Sequence, residues 1–595
     1  MRQVTARKAL LAGGTLVVVW LVLAGVQVFG AYRSATSGLD EMEGLGALAT
    51  DDLGSFIDSM GGDTDDVPEE TAAAQLASAA TDFSAAKAHL GSVFLAPLRP
   101  LPVIGRQLRS AQALATSAET TANAGSVAFD QLNAELAGTA QSPGARLETA
   151  STTQRVLEEL QAALSGLDAG PAEKLLPPLA RARNRFTAEY DRTMETLDSA
   201  LVTVRGVNEF LTGPTRYLVL ASNNAEMRAG SGMFLQVGQL TVTQGVFEVS
   251  EFTPAGQLLA NLPSTDLDPD IARLWDWLDP DREWRNLNLS PRFDQSARMA
   301  ADMWVAAGNE PVDGVMSLDV VGVAELLDTI GPVEVGEGPE RVEVSSRTVI
   351  DYLLLEQYED FVDDRDARRD QLGTVSRAIF EAFNNRSWSA SGLMQSLKRS
   401  GEGRHVMLWS TNETEQAAWT ELGATGVPRA DSLMVSVLNR GGNKLDQFLE
   451  VDAELTAEPA DGSQDMRRLT LNLTLSNTAP EHLPPYVEGP HPLTGLSAGD
   501  YLGLVSVSLP GGAGNLSMDG ARLMLSGDDG PSRMAIGEVL IPRGQSADIQ
   551  VSFDLPTDWE EIEITPSARV PAVTWDRGGV GWGDGAPVQV NLDDL

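Results

Sequence analysis

The residues best suited to chemistry follow a short apolar run near the middle of the chain. After Tyr217–Ala221 (YLVLA) comes the sequence NNAEMRAGSG at 223–232. Side-chain amides, a guanidinium and backbone amides left accessible by glycine are groups that bind phosphate. An ordinary turn, in which Arg228 pairs with Glu226, is the open alternative. The candidate phosphate-binding residues in this segment are Asn223, Asn224, Glu226 and Arg228.

Two further charged clusters could converge on the same site. Arg292 and Asp294 end the sequence WRNLNLSPRFD at 284–294, just before a helical pattern, where they could equally be charges at a helix start. The sequence DDRDARRD at 363–370 contributes Arg365, Arg368 and Arg369. Such dense runs are typical of a solvated helix face held by ion pairs, and that alternative stays open.

The elements that position these clusters alternate between strand and helix. The predicted elements are strands at Tyr217–Ala221, Phe234–Val242 and Val246–Val249, a helix at Arg292–Ala307, a strand at Val315–Leu318, a helix at Val320–Ile330, a strand at Val333–Val335, two long helices within Ser346–Asn384, and a strand at Val406–Trp409. This order predicts an α/β domain over residues 213–447. Ligands bind where strands of such sheets end, which is where NNAEMRAGSG begins.

The flanking regions differ in character. Residues 71–212 are rich in Ala and Leu at helical spacing and predict a helical bundle that serves as a stalk. Pro97, Pro100 and Pro102 must interrupt a helix, because proline removes an amide donor and clashes with the preceding turn. Residues 448–595 alternate apolar and polar positions between Gly- and Pro-rich turns and predict one C-terminal β-sandwich.

The N-terminus predicts a membrane anchor. Ala9–Tyr32 is uncharged, mostly apolar and longer than the roughly 20 residues that cross a bilayer. The tail 1–8 is basic, whereas the linker 33–70 is acidic. This asymmetry places the N-terminus in the cytoplasm and the rest of the chain outside. A cleaved signal peptide is the alternative. We expect an uncleaved, single-pass protein of the plasma membrane with an extracytoplasmic body.

Composition limits the partners. The 595 residues carry 84 Asp plus Glu against 43 Lys plus Arg, so the net charge is -41. This charge repels phosphate backbones and argues against nucleic acid as a partner. The chain has no cysteine and only four scattered histidines, which excludes disulfides and Cys-based zinc sites. The sequence therefore assigns no metal site and no catalytic residue.

Several separated motifs resemble one bacterial family. The sequences YLVLASNNAEMRAGSGMFLQVGQLTVTQGVFEV, VDGVMSLDVVGVAELLDTIGPVEV, RHVMLWSTNETEQ and NRGGNKLDQFLEV are similar to DUF4012 proteins, from about residue 80 to the C-terminus. Members of that family are membrane-anchored and have no assigned activity. The resemblance therefore implies the architecture without implying a reaction.

A more distant resemblance points to the LytR-CpsA-Psr family. In that family a strand and a helix lead into a D-x-x-G-G-V-x-V pattern, and Asp328–Val335 is similar to that pattern. The resemblance implies transfer of a glycopolymer from a polyprenyl-pyrophosphate carrier with a divalent cation such as Mg²⁺. It also implies that Arg228 binds pyrophosphate and that the arginines at 365–369 lie near the family's arginine-rich helix start. Two family motifs are altered: Ala229–Met233 lacks an aspartate, and 263–266 lacks an arginine.

We therefore expect a multidomain protein: one transmembrane helix, a helical stalk, a LytR-CpsA-Psr-like α/β domain and a β-sandwich. Its α/β domain would bind, and could transfer, a polyprenyl-pyrophosphate-linked or wall glycopolymer. The alternative is a non-enzymatic envelope organiser or adhesion protein. Loss of a metal-binding carboxylate and a phosphate-binding arginine leaves phosphotransferase-like activity undecided.

Overall fold

The computed structural model describes residues 20, 22–38, 72–136, 139–140, 142–258, 267–336, 341–356, 358, 365–460, 465–490 and 495–595. The chain divides into two compact units. Unit 1 comprises Met1–Thr139 and Glu148–Val204, and unit 2 comprises Ala140–Leu147 and Arg205–Leu595. The predicted tail, the first part of the predicted anchor and most of the acidic linker lie outside the described residues.

Unit 1 is built from helices, as its Ala- and Leu-rich sequence predicts. Within the described residues, the helices up to residue 212 are α1 (22–38), α2 (Ala72–Leu90), α3 (Ile104–Leu136), α4 (Pro143–Leu164) and α5 (Pro177–Thr212). Buried Leu132, Leu157 and Leu201 share one apolar core. The three prolines at 97, 100 and 102 lie between α2 and α3, so the predicted helix break is confirmed. Within the described part of the chain, no helix has both the length and the apolar character to cross a membrane.

The α/β part of unit 2 is organised around a six-stranded sheet. The first ten strands are β1 (Thr139–Ala140), β2 (Thr215–Met227), β3 (Gly232–Thr243), β4 (Val246–Val249), β5 (Thr253–Pro254), β6 (Gly314–Leu318), β7 (Val333–Val335), β8 (Val342–Val344), β9 (Trp388–Ser389) and β10 (Val406–Ser410). The sheet order is β10-β6-β2-β3-β4, with β5 on β3. Strands β2 and β6 are parallel, and the other neighbours on this path are antiparallel.

Helices cover both faces of this sheet. They are α6 (Pro269–Trp275), α7 (Phe293–Ala306), α8 (Val320–Ile330), α9 (Val349–Asp351), α10 (Arg365–Asn385), α11 (Ala390–Glu402) and α12 (Glu413–Glu421). Successive residues of β2 enter different cores: Tyr217 and Val219 face α8, whereas Leu218 and Leu220 face α7. A strand buried on both faces explains why YLVLA is continuously apolar.

Two predicted elements differ from the structure. Strand β2 does not end at Ala221 but continues to Met227, so four polar or charged side chains at 222–226 belong to a strand. The described residues of the segment 346–384 form short α9, a π-helical turn at Tyr352–Glu356 and the long helix α10. The predicted β4, α8 and β7 match the observed bounds.

The C-terminal strands form a sandwich of two six-stranded sheets. They are β11 (Ser432–Asn439), β12 (Leu449–Pro459), β13 (Met466–Asn477), β14 (Tyr501–Pro510), β15 (Gly514–Asp519), β16 (Arg522–Asp529), β17 (Ser532–Ile541), β18 (Ser546–Pro556), β19 (Glu561–Ile564), β20 (Thr574–Arg577), β21 (Val580–Gly583) and β22 (Val588–Asn591). The orders are β16-β17-β14-β11-β19-β22 and β15-β18-β13-β12-β20-β21. Strand β11 joins the sandwich ahead of the predicted domain start at 448.

A fully buried ion pair lies where the sandwich meets β2. Asp446 and Arg569 have no exposed side-chain surface, and their atoms Oδ1 and Nη1 are 3.4 Å apart. Asp446 Oδ1 also accepts the Tyr501 hydroxyl at 2.7 Å, and Oδ2 accepts the Asn439 amide at 2.8 Å and the Met227 backbone N–H at 3.1 Å. This carboxylate therefore joins the end of β2 to strands β11 and β14.

Replacing Arg569 should destabilise unit 2 far more than replacing an exposed arginine. Arg569→Met leaves Asp446 as an uncompensated buried charge, and breaking such a pair costs about 3–5 kcal/mol. The control is Arg522→Met, because the Arg522 side chain is 74% exposed. Urea unfolding followed by tryptophan fluorescence measures both. Equal losses in the two variants would contradict the role given to the buried pair.

Candidate functional site

A cavity of about 520 Å³ opens beside the carboxyl end of β2. Its walls come from the β2–β3 hairpin, the 3₁₀ turn Trp284–Asn286, the π-helical turn and the loop after β11. The charged and tyrosine side chains that line it are Glu226, Arg228, Glu283, Arg285, Tyr358, Arg440, Lys444 and Tyr486. Among the described residues that line it, four cations against two carboxylates give a positive balance, in contrast to the chain as a whole.

A tight turn between β2 and β3 positions Arg228. The Arg228 backbone N–H donates to the Ser231 carbonyl at 2.8 Å. At Gly232 any Cβ atom would lie 2.4 Å from the Asn223 carbonyl carbon, so only glycine allows the two strands to meet this closely. The turn thus spans four residues and directs Arg228 back toward the cavity wall.

The guanidinium of Arg228 is held by neutral acceptors. Its Nε donates to the Arg285 carbonyl, Nη1 to the Met227 and Asn439 carbonyls, and Nη2 to the Asn286 side chain, over 3.0–3.2 Å. A guanidinium has five N–H donors, so these four bonds leave one for a ligand. Among the described residues, Arg228 forms no ion pair.

The positive charge of Arg228 is therefore incompletely compensated. Arg228 is only 7% exposed. Burial, with a smaller effect of the nearby Arg440, lowers the pKa of Arg228 to about 10, although Glu226 and Asp446 act to raise it. Arg228 is still charged at neutral pH. A buried cation without a direct anionic partner favours binding of an anion.

Glu226 and Lys444 form an ion pair enclosed by two tyrosines. Lys444 Nζ contacts Glu226 Oε2 and lies 5.1 Å from the ring centre of Tyr358 and 5.3 Å from that of Tyr486. Burial disfavours the charge, but Glu226 and the tyrosines raise the pKa of Lys444 above its ordinary value. The Asn223 amide donates to the Tyr358 hydroxyl at 3.0 Å, which fixes that ring.

The other two arginines of the cavity differ in their partners. Arg285 pairs with Glu283, and the Nε–Oε1 distance is 2.7 Å. The guanidinium carbon of Arg440 lies 5.1 Å from the ring centre of Trp277. Among the described residues, Arg440 forms no ion pair, so it and Arg228 are the two cations of the cavity without a carboxylate partner.

Asn224 points away from the cavity into a buried polar cluster. Its amide donates to Asp319 Oδ2 at 2.7 Å and to the Ala568 carbonyl at 2.8 Å. Asp319 also contacts His405 Nδ1 at 2.8 Å and accepts two backbone N–H groups at the start of α8. Asn224 therefore joins the sheet, α8 and the sandwich.

Arg292 and Asp294 are not among the residues that line the cavity. Arg292 pairs with Asp268, with Nη1–Oδ1 at 3.3 Å, and lies 3.6 Å from Asp529. Asp294 lies in the first turn of α7. Arg365, Arg368 and Arg369 belong to α10, but their side chains lie outside the described part of the chain. Phosphate binding by these residues stays a prediction.

Arg285, Arg440, Lys444 and the two tyrosines were not predicted as site residues. One signal was present in the sequence: Arg440-Gly441-Gly442-Asn443-Lys444 directly follows a strand, as NNAEMRAGSG follows YLVLA. Within the residues that the structure describes, no group of three or more His, Asp or Glu is arranged to hold a metal ion.

Comparisons with known proteins agree with the predicted resemblances. Residues 212–358 match the family described as "Protein of unknown function (DUF4012)", a shorter stretch than predicted. Solved structures similar to this chain include Lin1025 from Listeria innocua (14% identity, TM-score 0.21), Lmo1026, a putative transcriptional factor from Listeria monocytogenes (13%, 0.18), and B. subtilis TagV (10%, 0.19). Each match covers 36% of this chain and 79%, 78% and 81% of the respective structure. All three belong to the LytR-CpsA-Psr family. No curated protein matches.

Protonation of His405 should stabilise unit 2. Burial opposes the charge, but Asp319, with smaller effects of Asp584 and Glu325, raises the pKa of His405 above 6.5. The stabilisation is complete below the unfolded-state pKa and is lost as pH rises through the folded-state pKa. We expect wild type to lose more stability than His405→Gln between about pH 6 and about pH 8.5.

Urea unfolding at both pH values measures this difference. Asp529 and Asp584, whose pKa values burial raises to about 6, titrate in both proteins and largely cancel. Identical pH dependence of the two proteins would contradict the role of the His405–Asp319 pair.

Proposed function

Taking residues 212–358 as a DUF4012 domain, we propose that this is a membrane-anchored envelope protein whose cavity binds the pyrophosphate of a polyprenyl carrier lipid or of a glycopolymer linked to it. The observation that carries the proposal is the pair Arg228 and Arg440. Both line one cavity, both lack a carboxylate partner among the described residues, and the charge of Arg440 contributes to lowering the pKa of Arg228. Two neighbouring uncompensated cations suit a multiply charged anion.

The uncharged part of the cavity suits the lipid portion of such a ligand. Met233, Leu235 and Leu353 line it beside the cations. Apolar walls next to arginines favour an amphiphile over a free inorganic anion, because transfer of hydrocarbon from water stabilises binding by about 25 cal/mol per Å². We propose that the phosphates contact the arginines and that the first prenyl units contact these apolar side chains.

The proposal is for binding and presentation of the ligand. The two carboxylates of the cavity, Glu226 and Glu283, already pair with Lys444 and Arg285. Mg²⁺ prefers carboxylate oxygens that are free to coordinate it, so this donor set does not fit a resident Mg²⁺ ion. Mg²⁺-dependent transfer stays a prediction of the distant resemblance.

Loss of Arg440 should weaken binding of a polyprenyl pyrophosphate. A hydrogen bond to a charged group contributes about 1.5–3 kcal/mol, so Arg440→Gln should lower affinity roughly tenfold or more. Arg440 is exposed, so the variant is expected to fold. Binding to the full chain in detergent is measured by tryptophan fluorescence with polyprenyl pyrophosphate, polyprenol and inorganic pyrophosphate.

The matched control is Arg341→Gln, which removes an arginine that pairs with Glu334 and is 56% exposed. It should bind as wild type does. Equal affinity for polyprenol and polyprenyl pyrophosphate would exclude recognition of the phosphates. Unchanged affinity in Arg440→Gln and also in Arg228→Lys would remove this cavity as the binding site.

A further inference from the structure

The turn between α2 and α3 in unit 1 exposes an unusual number of large apolar side chains. We call residues 91–104 the hairpin tip. Val93 is 76% exposed, Val103 is 68% exposed, and Leu101 and Ile104 are 43% and 44% exposed. Three prolines within the tip restrict its backbone. A patch of this kind marks an interaction surface.

The hairpin tip and the first two turns of α3 together are basic within a strongly acidic chain. Residues 91–109 contain Arg99, Arg106 and Arg109 and no Asp or Glu. Among the described residues none of these arginines forms an ion pair. Arg99 donates to the Leu90 carbonyl and Arg109 to the Arg99 carbonyl, both at 3.4 Å, which holds the two guanidinium groups near the tip. The positive charge of residues 91–109 complements an anionic surface.

Helix α1 places the hairpin tip beside the predicted anchor. The Trp20 indole donates to the Phe94 carbonyl at 2.9 Å, and Gln27 contacts His89 at 2.8 Å, so α1 and α2 run antiparallel. The tip therefore lies level with residue 20, in the interior of the uncharged run Ala9–Tyr32. The outward face of α1 is apolar as well, because Phe29 is 66% exposed.

We propose that the hairpin tip inserts into the outer leaflet of the bilayer beside the anchor. Val93, Leu101, Val103 and Ile104 contact acyl chains, and Arg106 and Arg109, on the first two turns of α3, extend toward the lipid phosphates. The proposal rests on the membrane anchoring proposed above but not on any ligand of the cavity. A tip held at the depth of residue 20 would fix the stalk to the membrane at two points instead of one.

The experiment uses the absence of cysteine from the chain. Val103→Cys in the full chain, labelled with an environment-sensitive fluorophore, is reconstituted in phosphatidylglycerol–phosphatidylcholine vesicles. Val127→Cys is the matched control: it lies on α3, which begins one residue after Val103, is 50% exposed, and is about 35 Å farther along at 1.5 Å per residue. Flotation reports the anchoring, and quenching by lipids with acyl-chain nitroxides reports the depth of the label.

We expect the label at position 103, but not the label at position 127, to emit at shorter wavelength and to be strongly quenched by the nitroxide lipids. Arg106→Gln combined with Arg109→Gln should reduce that quenching in vesicles with phosphatidylglycerol and leave it unchanged in phosphatidylcholine alone.

Equal, water-like emission of both labels on protein that floats with the vesicles would overturn tip insertion, while membrane anchoring would stand. Protein that does not float would overturn both. A disulfide that joins two copies of the unlabelled Val103→Cys variant would identify a second chain as the occupant and overturn the proposal.

Discussion

The buried carboxylate of Asp446 is the constraint on which the cavity depends. It accepts the Met227 N–H at the end of β2 and the side chain of Asn439 at the end of β11. The Asn439 carbonyl in turn accepts a hydrogen bond from Arg228. One charge, compensated by Arg569, therefore fixes the backbone on both sides of the guanidinium. Removing it would leave the cations of the cavity without defined positions.

The sandwich supplies a wall of the site. Arg440, Lys444 and Tyr486 all lie beyond residue 358, where the DUF4012 match ends, and they line the cavity with Arg228. Burying a cation is unfavourable unless a carboxylate pairs with it, and only some of the cations of this cavity are paired in this way. Lys444 and Arg285 have carboxylate partners, whereas Arg228 is held only by neutral oxygens. The site thus combines a rigid neutralised part with a part that favours an anion.

Much of the fold could be predicted from local pattern. Strand β4, helix α8 and strand β7 have the observed bounds because their apolar spacing and turns are local properties. The continuation of β2 through Asn223 and Asn224 could not be predicted in this way, because asparagines favour loops unless other groups accept and donate their side-chain hydrogen bonds. Their partners are Tyr358, Asp319 and Ala568, far away in the sequence. Convergence of Arg440 on Arg228 is hidden from the sequence for the same reason.

The distance in sequence between partners has a consequence for synthesis of the chain. Asn224 meets the carbonyl of Ala568, and Asp446 meets Arg569, so contacts that complete the cavity close over more than a hundred intervening residues. Contacts of this kind form late, because loop closure precedes any gain from them. As residues leave the ribosome from the N-terminus onward, the β2 hairpin emerges long before its final partners. The cavity therefore reaches its final geometry only after residue 569 has been made, and a chain cut short before that residue would carry the DUF4012 sequence without a formed cavity.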